Sequence, residues 1–210
     1  MPFIDPSLLL EENNPIQRLL ITCADDSNVI DISFELAKIF RDQNQSVLWI
    51  DGNLGESTPD FFQTSSDLKR VLSGELPLTQ ALQTQDKISI LAGKSDVFLA
   101  ELPKHQQYQF LNDLQKLYLN FDKVIFSVNG KNSSLQKKWM KEAQEIYLVF
   151  NAKNLFLNRT LTWLKENRTK VKGLIGLGKN DQAVLLAYMR LKEILDEIPE
   201  LILDIKKIAP

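Results

Sequence analysis

Short, nearly continuous apolar runs punctuate the chain: RLLITC (18–23), SVLWID (46–51), KISILA (87–92), DKVIFSV (122–128), EIYLVF (145–150) and VKGLIGL (171–177). Runs of this length without polar alternation fit strands covered on both faces. Between them the period lengthens to that of a helix. Val29, Ile32, Leu36, Ile39 and Phe40 keep one face, as do Tyr108, Leu111, Leu114, Leu117 and Tyr118. Leu155, Arg159, Thr162 and Leu164 suggest a weaker helix with Asn154 as its N-cap. The alternation predicts right-handed βαβ crossovers and an α/β fold: a three-layer, doubly wound, mostly parallel sheet of about six to eight strands with helices on both faces. From Val184 through Leu185, Tyr188, Leu191, Ile194, Leu195, Ile198, Leu201, Ile202 and Ile205 the apolar positions recur at helical spacing, broken by Pro199. That spacing predicts C-terminal helices over 181–208. Residues 1–15 read as an N-terminal extension and 16–210 as one domain.

Composition narrows the function classes. A chain of 210 residues with 44% hydrophobic content buries a full core. Its 25 basic and 27 acidic residues are interspersed, so no electrostatic footprint for nucleic acid arises. The start MPFIDPSLLLEENNP lacks a basic leader, and no window approaches the ~18 apolar residues of a membrane span, so a cytoplasmic protein is expected. In that compartment the sequons at Asn158 and Asn167 carry no glycan, and Cys23 reads as a buried structural thiol. His105 is the only histidine, which excludes a histidine-cluster metal site and leaves a catalytic dyad without a partner. The pairs Asp25/Asp26 and Glu11/Glu12 read as solvated, because adjacent carboxylates point apart. Trp49, Trp139 and Trp163 read as core or interface bulk. On the tail, Glu193, Asp196, Glu197, Glu200 and Asp204 oppose Lys192, Lys206 and Lys207, which argues against a membrane anchor and for packing on the domain or a partner.

Residues 21–55, ITCADDSNVIDISFELAKIFRDQNQSVLWIDGNLG, have the layout of a nucleotide-binding strand, loop, helix and second strand ending in an acidic turn. A phosphate loop needs glycines so that backbone N–H groups can wrap the phosphates, and a lysine to meet their charge. Between Thr22 and Lys38 there is neither; Asp25, Asp26 and Asp31 stand there instead. The stretch from Ile21 to Ala37 resembles a degenerate deviant Walker A loop of the MinD/ParA-type P-loop ATPases, and VLWIDGNLG resembles their "IDADLG" segment. LKRVLSGELPLTQAL (68–82) and ISILAGKSDVFLAEL (88–102) are similar to the corresponding stretch of MinD and especially of its flagellar relative FlhG. FDKVIFSVNG (121–130) is similar to the family's "YDYVIIDTPAG" strand, and IYLVFNAKNLFLNRTLTWLK (146–165) to the strand and helix after it.

The resemblance covers about residues 16–175 and implies loss of activity. The family's signature lysine falls at Ala24 or Asp25, its second lysine at Val29 or Ile30, and its magnesium-binding hydroxyl at Asp31 or Ile30. Of the two acids in the "DADLG" turn Asp51 remains and the second is Asn53, leaving these two as residual cofactor-binding positions. The Walker B aspartate falls at Ser127. No catalytic residue, no metal site and no cofactor is therefore expected, ATP and magnesium entering only under the alternative given below. Asp25, Asp26, Ser27, Asn28 and Asp31 are expected to form a degenerate phosphate loop that could serve as a partner surface. A competing motif, Gly173 to Asn180, is one residue away from G-x-x-x-x-G-K-[ST], but Asn180 replaces the hydroxyl; it reads as a strand ending in a glycine turn with Lys179 solvated. The expected function is that of a FlhG-like pseudo-ATPase, an adaptor or regulator in placing or assembling a flagellum, pilus or other envelope machine. Its partners would be a flagellar, pilus or cell-pole protein, or a homo- or heterodimer mate. The alternatives are a nucleotide-switched ATPase with an atypical loop around Asp51 and, third, an unrelated small-molecule enzyme on the same type of sheet.

Overall fold

A computed structural model of the chain describes residues 16–24, 29–52, 68–92, 102–130, 133–195 and 197–208. Eight strands form one sheet: β1 (Gln17–Cys23), β2 (Val47–Asp51), β3 (Gln83–Gln85), β4 (Ile88–Leu91), β5 (Lys123–Val128), β6 (Glu145–Asn151), β7 (Gly173–Leu177) and β8 (Glu200–Ile202), in the order β3-β4-β2-β5-β1-β6-β7-β8. All neighbours pair in parallel except β3 and β4. The six expected strands are present. The two additional ones are short edge strands, of which β3 is polar and joins β4 through a two-residue turn, Asp86-Lys87, with both residues at positive φ (51° and 63°).

The handedness of the crossovers assigns the layers. α1 (Val29–Asp42) carries the chain from β1 to β2, leftward in that order, whereas α3 (Lys104–Tyr118), α4 (Ser133–Glu142), α5 (Asn154–Asn167) and α6 (Asp181–Ile194) carry it rightward. Right-handed connections in opposite directions must lie on opposite faces. Accordingly Val29, Phe34, Leu36 and Phe40 of α1 pack with Leu19, Ile21, Trp49, Ile125 and Val149 in one core. Phe110 and Leu114 of α3, Trp139 of α4, Leu164 of α5 and Leu191 of α6 pack in the other, with Leu20, Ile50, Phe126, Leu148 and Leu174, and the short α2 (Leu68–Leu72) joins them through Val71 and Leu72.

Three expectations need correction. The helices expected over 181–208 reduce to α6: Leu195 turns extended, Pro199 bars helical continuation, and Glu200–Ile202 pairs in parallel with Gly173–Ile175 before a 3₁₀ turn at Ile205–Ile208. An apolar pattern of a few residues satisfies either period, and the open edge of β7 decided it. Asn154 is the first helical residue of α5, not its cap; Lys153 holds the cap position and its N–H donates to Asn151 Oδ1 at 3.0 Å. Tyr108 is 72% exposed, because the buried stripe of α3 runs through Phe110, Leu114, Leu117 and Tyr118 and Tyr108 lies on the opposite side of that helix.

Candidate functional site

In open α/β sheets, ligands bind beyond the carboxyl ends of the strands, where the strand order reverses. Here β1 lies at that reversal, flanked by β5 and β6. Register places Ile21, Ser127 and Asp51 side by side on β1, β5 and β2. Parallel partners point to the same face, and Ile21, Trp49 and Ile125 mark it as the face that α1 covers. Asp51 and Ser127, expected from sequence to be remnants of one site, are thus brought together, and both are fully buried. Asp31 lies exposed in the first turn of α1, where its negative charge suits the positive helix end. Asp25, Asp26, Ser27, Asn28 and Asn53 lie outside the described residues.

Ser127 Oγ has no hydrogen-bond partner among the described residues. His105 stands exposed at the start of α3. Among the described residues no three His, Cys, Asp or Glu side chains gather as metal ligands, and no helix is long and apolar enough to cross a membrane. Ser127 places a neutral, buried hydroxyl beside Asp51, and the sequence from Thr22 to Ala37 contains no lysine or arginine.

On the other side of the sheet the strand ends are braced. Gln136 of α4, 4% exposed, donates through Nε2 to Thr22 Oγ1 (2.6 Å) and to the Cys23 carbonyl (3.0 Å), while its Oε1 accepts from Trp163 Nε1 (3.1 Å). Thr22 Oγ1 donates in turn to the Val128 carbonyl at 2.9 Å. The Cys23 thiol is buried and accepts from Gly130 N–H at 3.3 Å, in keeping with a structural role. Trp139 stacks on Phe126 (centroids 4.8 Å apart) and donates to the Gly52 carbonyl at 2.8 Å. Gly52 is required there, since a Cβ would lie 2.3 Å from Val128 Cγ2. Sequence reasoning missed Gln136 and Thr22, because a lone glutamine in SSLQKKWM carries no local signal of burial. It read Trp139 and Trp163 as core or interface bulk, without their polar partners.

The second glycine-rich junction resolves as expected. Asn180 caps α6, its Oδ1 accepting from Ala183 N–H at 2.9 Å, and Lys179 is exposed. A Cβ on Gly176 would sit 2.0 Å from Val184 Cγ1 and one on Gly178 2.7 Å from Val184 Cγ2, so these glycines admit α6 against β7. Beside them Asn151, Lys153, Leu177 and Lys179 help line an open cavity of about 550 Å³.

No protein-family profile matches the sequence, and no curated protein matches it significantly. Solved structures do match the fold. The chain is similar to cobyrinic acid a,c-diamide synthase from Mycobacterium smegmatis with bound ADP and magnesium (16% identity, 87% of this chain and 83% of that chain covered, TM-score 0.65). It is also similar to the MinC:MinD cell division protein complex of Aquifex aeolicus (15%, 88% and 79%, TM-score 0.66) and to a ParA family ATPase from Chlorobium tepidum (12%, 89% and 84%, TM-score 0.65). The eight-stranded, mostly parallel α/β architecture is therefore that of the MinD/ParA-type proteins.

Proposed function

We propose that this chain is a non-hydrolysing MinD/ParA-fold protein that works as a protein–protein adaptor or regulator. The observation that carries the reading is the placement of buried Asp51 beside buried, neutral Ser127 on neighbouring strands, in a chain whose segment from Thr22 to Ala37 has no glycine and no cation. Preorganised positive charge supplies most of the transition-state stabilisation in phosphoryl transfer, and acids in its place repel the nucleotide. Asp25, Asp26 and Asp31, with Ser27 and Asn28, then offer a partner an acidic, polar segment. One solved protein of this fold is described as a complex of MinD with MinC, which supports protein partnership as a use of the scaffold. The resemblance to FlhG makes a flagellar, pilus or cell-pole component in the cytoplasm the partner class to test first.

Calorimetric titration with magnesium ATP decides between adaptor and switch. No binding heat is expected up to about 1 mM, whereas a micromolar dissociation constant, about −8 kcal/mol, would sink the adaptor reading. Charge reversal of Asp25 and Asp26 is expected to abolish the host phenotype without changing the melting temperature. The alternative, a nucleotide-switched ATPase with an atypical loop around Asp51, is tested by the same titration.

A further inference from the structure

α6 is apolar on two sides. Val184, Ala187 and Leu191 face the sheet, and Leu195 follows them into the core. Leu185, Leu186 and Met189 stand 46%, 55% and 51% exposed on the opposite side, more than a surface helix with a single buried stripe leaves open. Gln182, Leu186, Met189 and Glu193, spaced four, three and four residues apart, form one straight outer crest. Leu185 flanks it on the side that also carries Asp181 and Lys192.

We propose that this crest pairs with the α6 of a second copy of the chain, antiparallel, about a two-fold axis between Leu186 and Met189. The arrangement of charge selects this occupant. The two-fold sets Leu186 against Met189 of the second copy and Gln182 against its Glu193. It keeps each flank facing its own equivalent, so Asp181 meets Lys192 across the axis twice, and no like charges oppose one another on the crest. A parallel pair would instead set Glu193 against Glu193. A single helix pair lies below the size of standard interfaces, which makes this a weak dimer, with a midpoint on the order of 10 µM or higher. The pairing goes beyond the adaptor reading and is independent of it, since it needs neither nucleotide nor any residue of the loop after β1.

Sedimentation velocity of the full chain without nucleotide, over a rising concentration series, is expected to show a reversible monomer–dimer equilibrium. Leu186→Glu should raise the midpoint at least about 10-fold with an unchanged circular dichroism spectrum, because the side chain is exposed in the protomer. The double variant Leu186→Glu/Met189→Lys should restore association by setting opposite charges across the crest. Asp181→Lys should weaken it and Asp181→Lys/Lys192→Asp should recover it. A chain that stays monomeric throughout, a dimer indifferent to Leu186→Glu, or a dimer formed only with magnesium ATP would each overturn the proposal. The last outcome would also count against the adaptor reading, whereas the first two leave that reading untouched.

Discussion

The β1–α1 and β7–α6 junctions are two copies of one local form, an apolar strand running into a turn and then a helix, and they spend their residues in opposite ways. At β1–α1 the turn contains no glycine and no lysine, yet the strand end is held from the opposite face by Gln136, with Trp139 bracing the neighbouring ends of β2 and β5. At β7–α6 the glycines and a lysine survive in near-motif order, but the glycines make room for Val184 and the lysine is solvated. The contrast teaches that a phosphate-loop string and a phosphate-loop position are separable. One junction has the place without the residues, and the other has most of the residues in the service of packing.

The largest expected effect attacks the brace. Trp139→Ala removes a fully buried indole, its stacking on Phe126 and its hydrogen bond to Gly52. It should cost about 3–5 kcal/mol in denaturant unfolding. A loss under about 1 kcal/mol would mean that the strand ends are held by something other than α4.

Next comes the packing role of the second junction. Gly176→Ala should cost roughly 1–3 kcal/mol by overpacking against Val184. Adding Val184→Ala should recover part of that loss, a coupling that independent sites would not show. Purely additive losses would remove the close-approach explanation for this glycine.

The amino end of the sheet provides a control distant from both junctions. Hydrogen bonds from Ser46, first its hydroxyl and then its backbone N–H, hold the Asp122 carboxyl below its ordinary range. A carboxylate whose folded pKa is depressed contributes stability that is present above its unfolded value, about 3.9, and is lost as pH falls through the lower folded value. Ser46→Ala removes the hydroxyl bond but keeps the backbone one at an exposed, solvent-screened site, so it should cost less than about 1 kcal/mol at pH 7 and make the acid limb of the stability curve below about pH 4 shallower. An unchanged acid limb would assign that limb to other carboxylates.

The smallest effect is expected at Lys179→Ala, within about 0.5 kcal/mol in thermal unfolding, since the side chain is exposed and the cap belongs to Asn180. A larger loss would show that the lysine of the near-motif has a structural role.

Legibility followed the range of the interactions. The six apolar runs became strands within a residue or two, because continuous apolar segments of that length have few ways to be buried other than a covered sheet. The neighbouring placement of Asp51 and Ser127 was legible only through the resemblance of their two strands to a known family, since nothing local ties residue 51 to residue 127. β3 was hidden by its polar QTQ sequence and a turn of two non-glycine residues at positive φ. Gln136 was hidden because its partners Thr22, Cys23 and Trp163 come from two other elements.

The sequence by itself determined the α/β class, the alternation of strands with helices, and the absence of cations from the segment after β1, since these follow from residue type and spacing along the chain. The tertiary structure alone decided that Glu200–Ile202 is a strand, that Gly176 and Gly178 serve helix packing, and that α6 is left with a second apolar face. Each of those outcomes depends on which distant segment arrives alongside, and a short apolar or glycine-containing segment is compatible with several neighbours until one of them is in place.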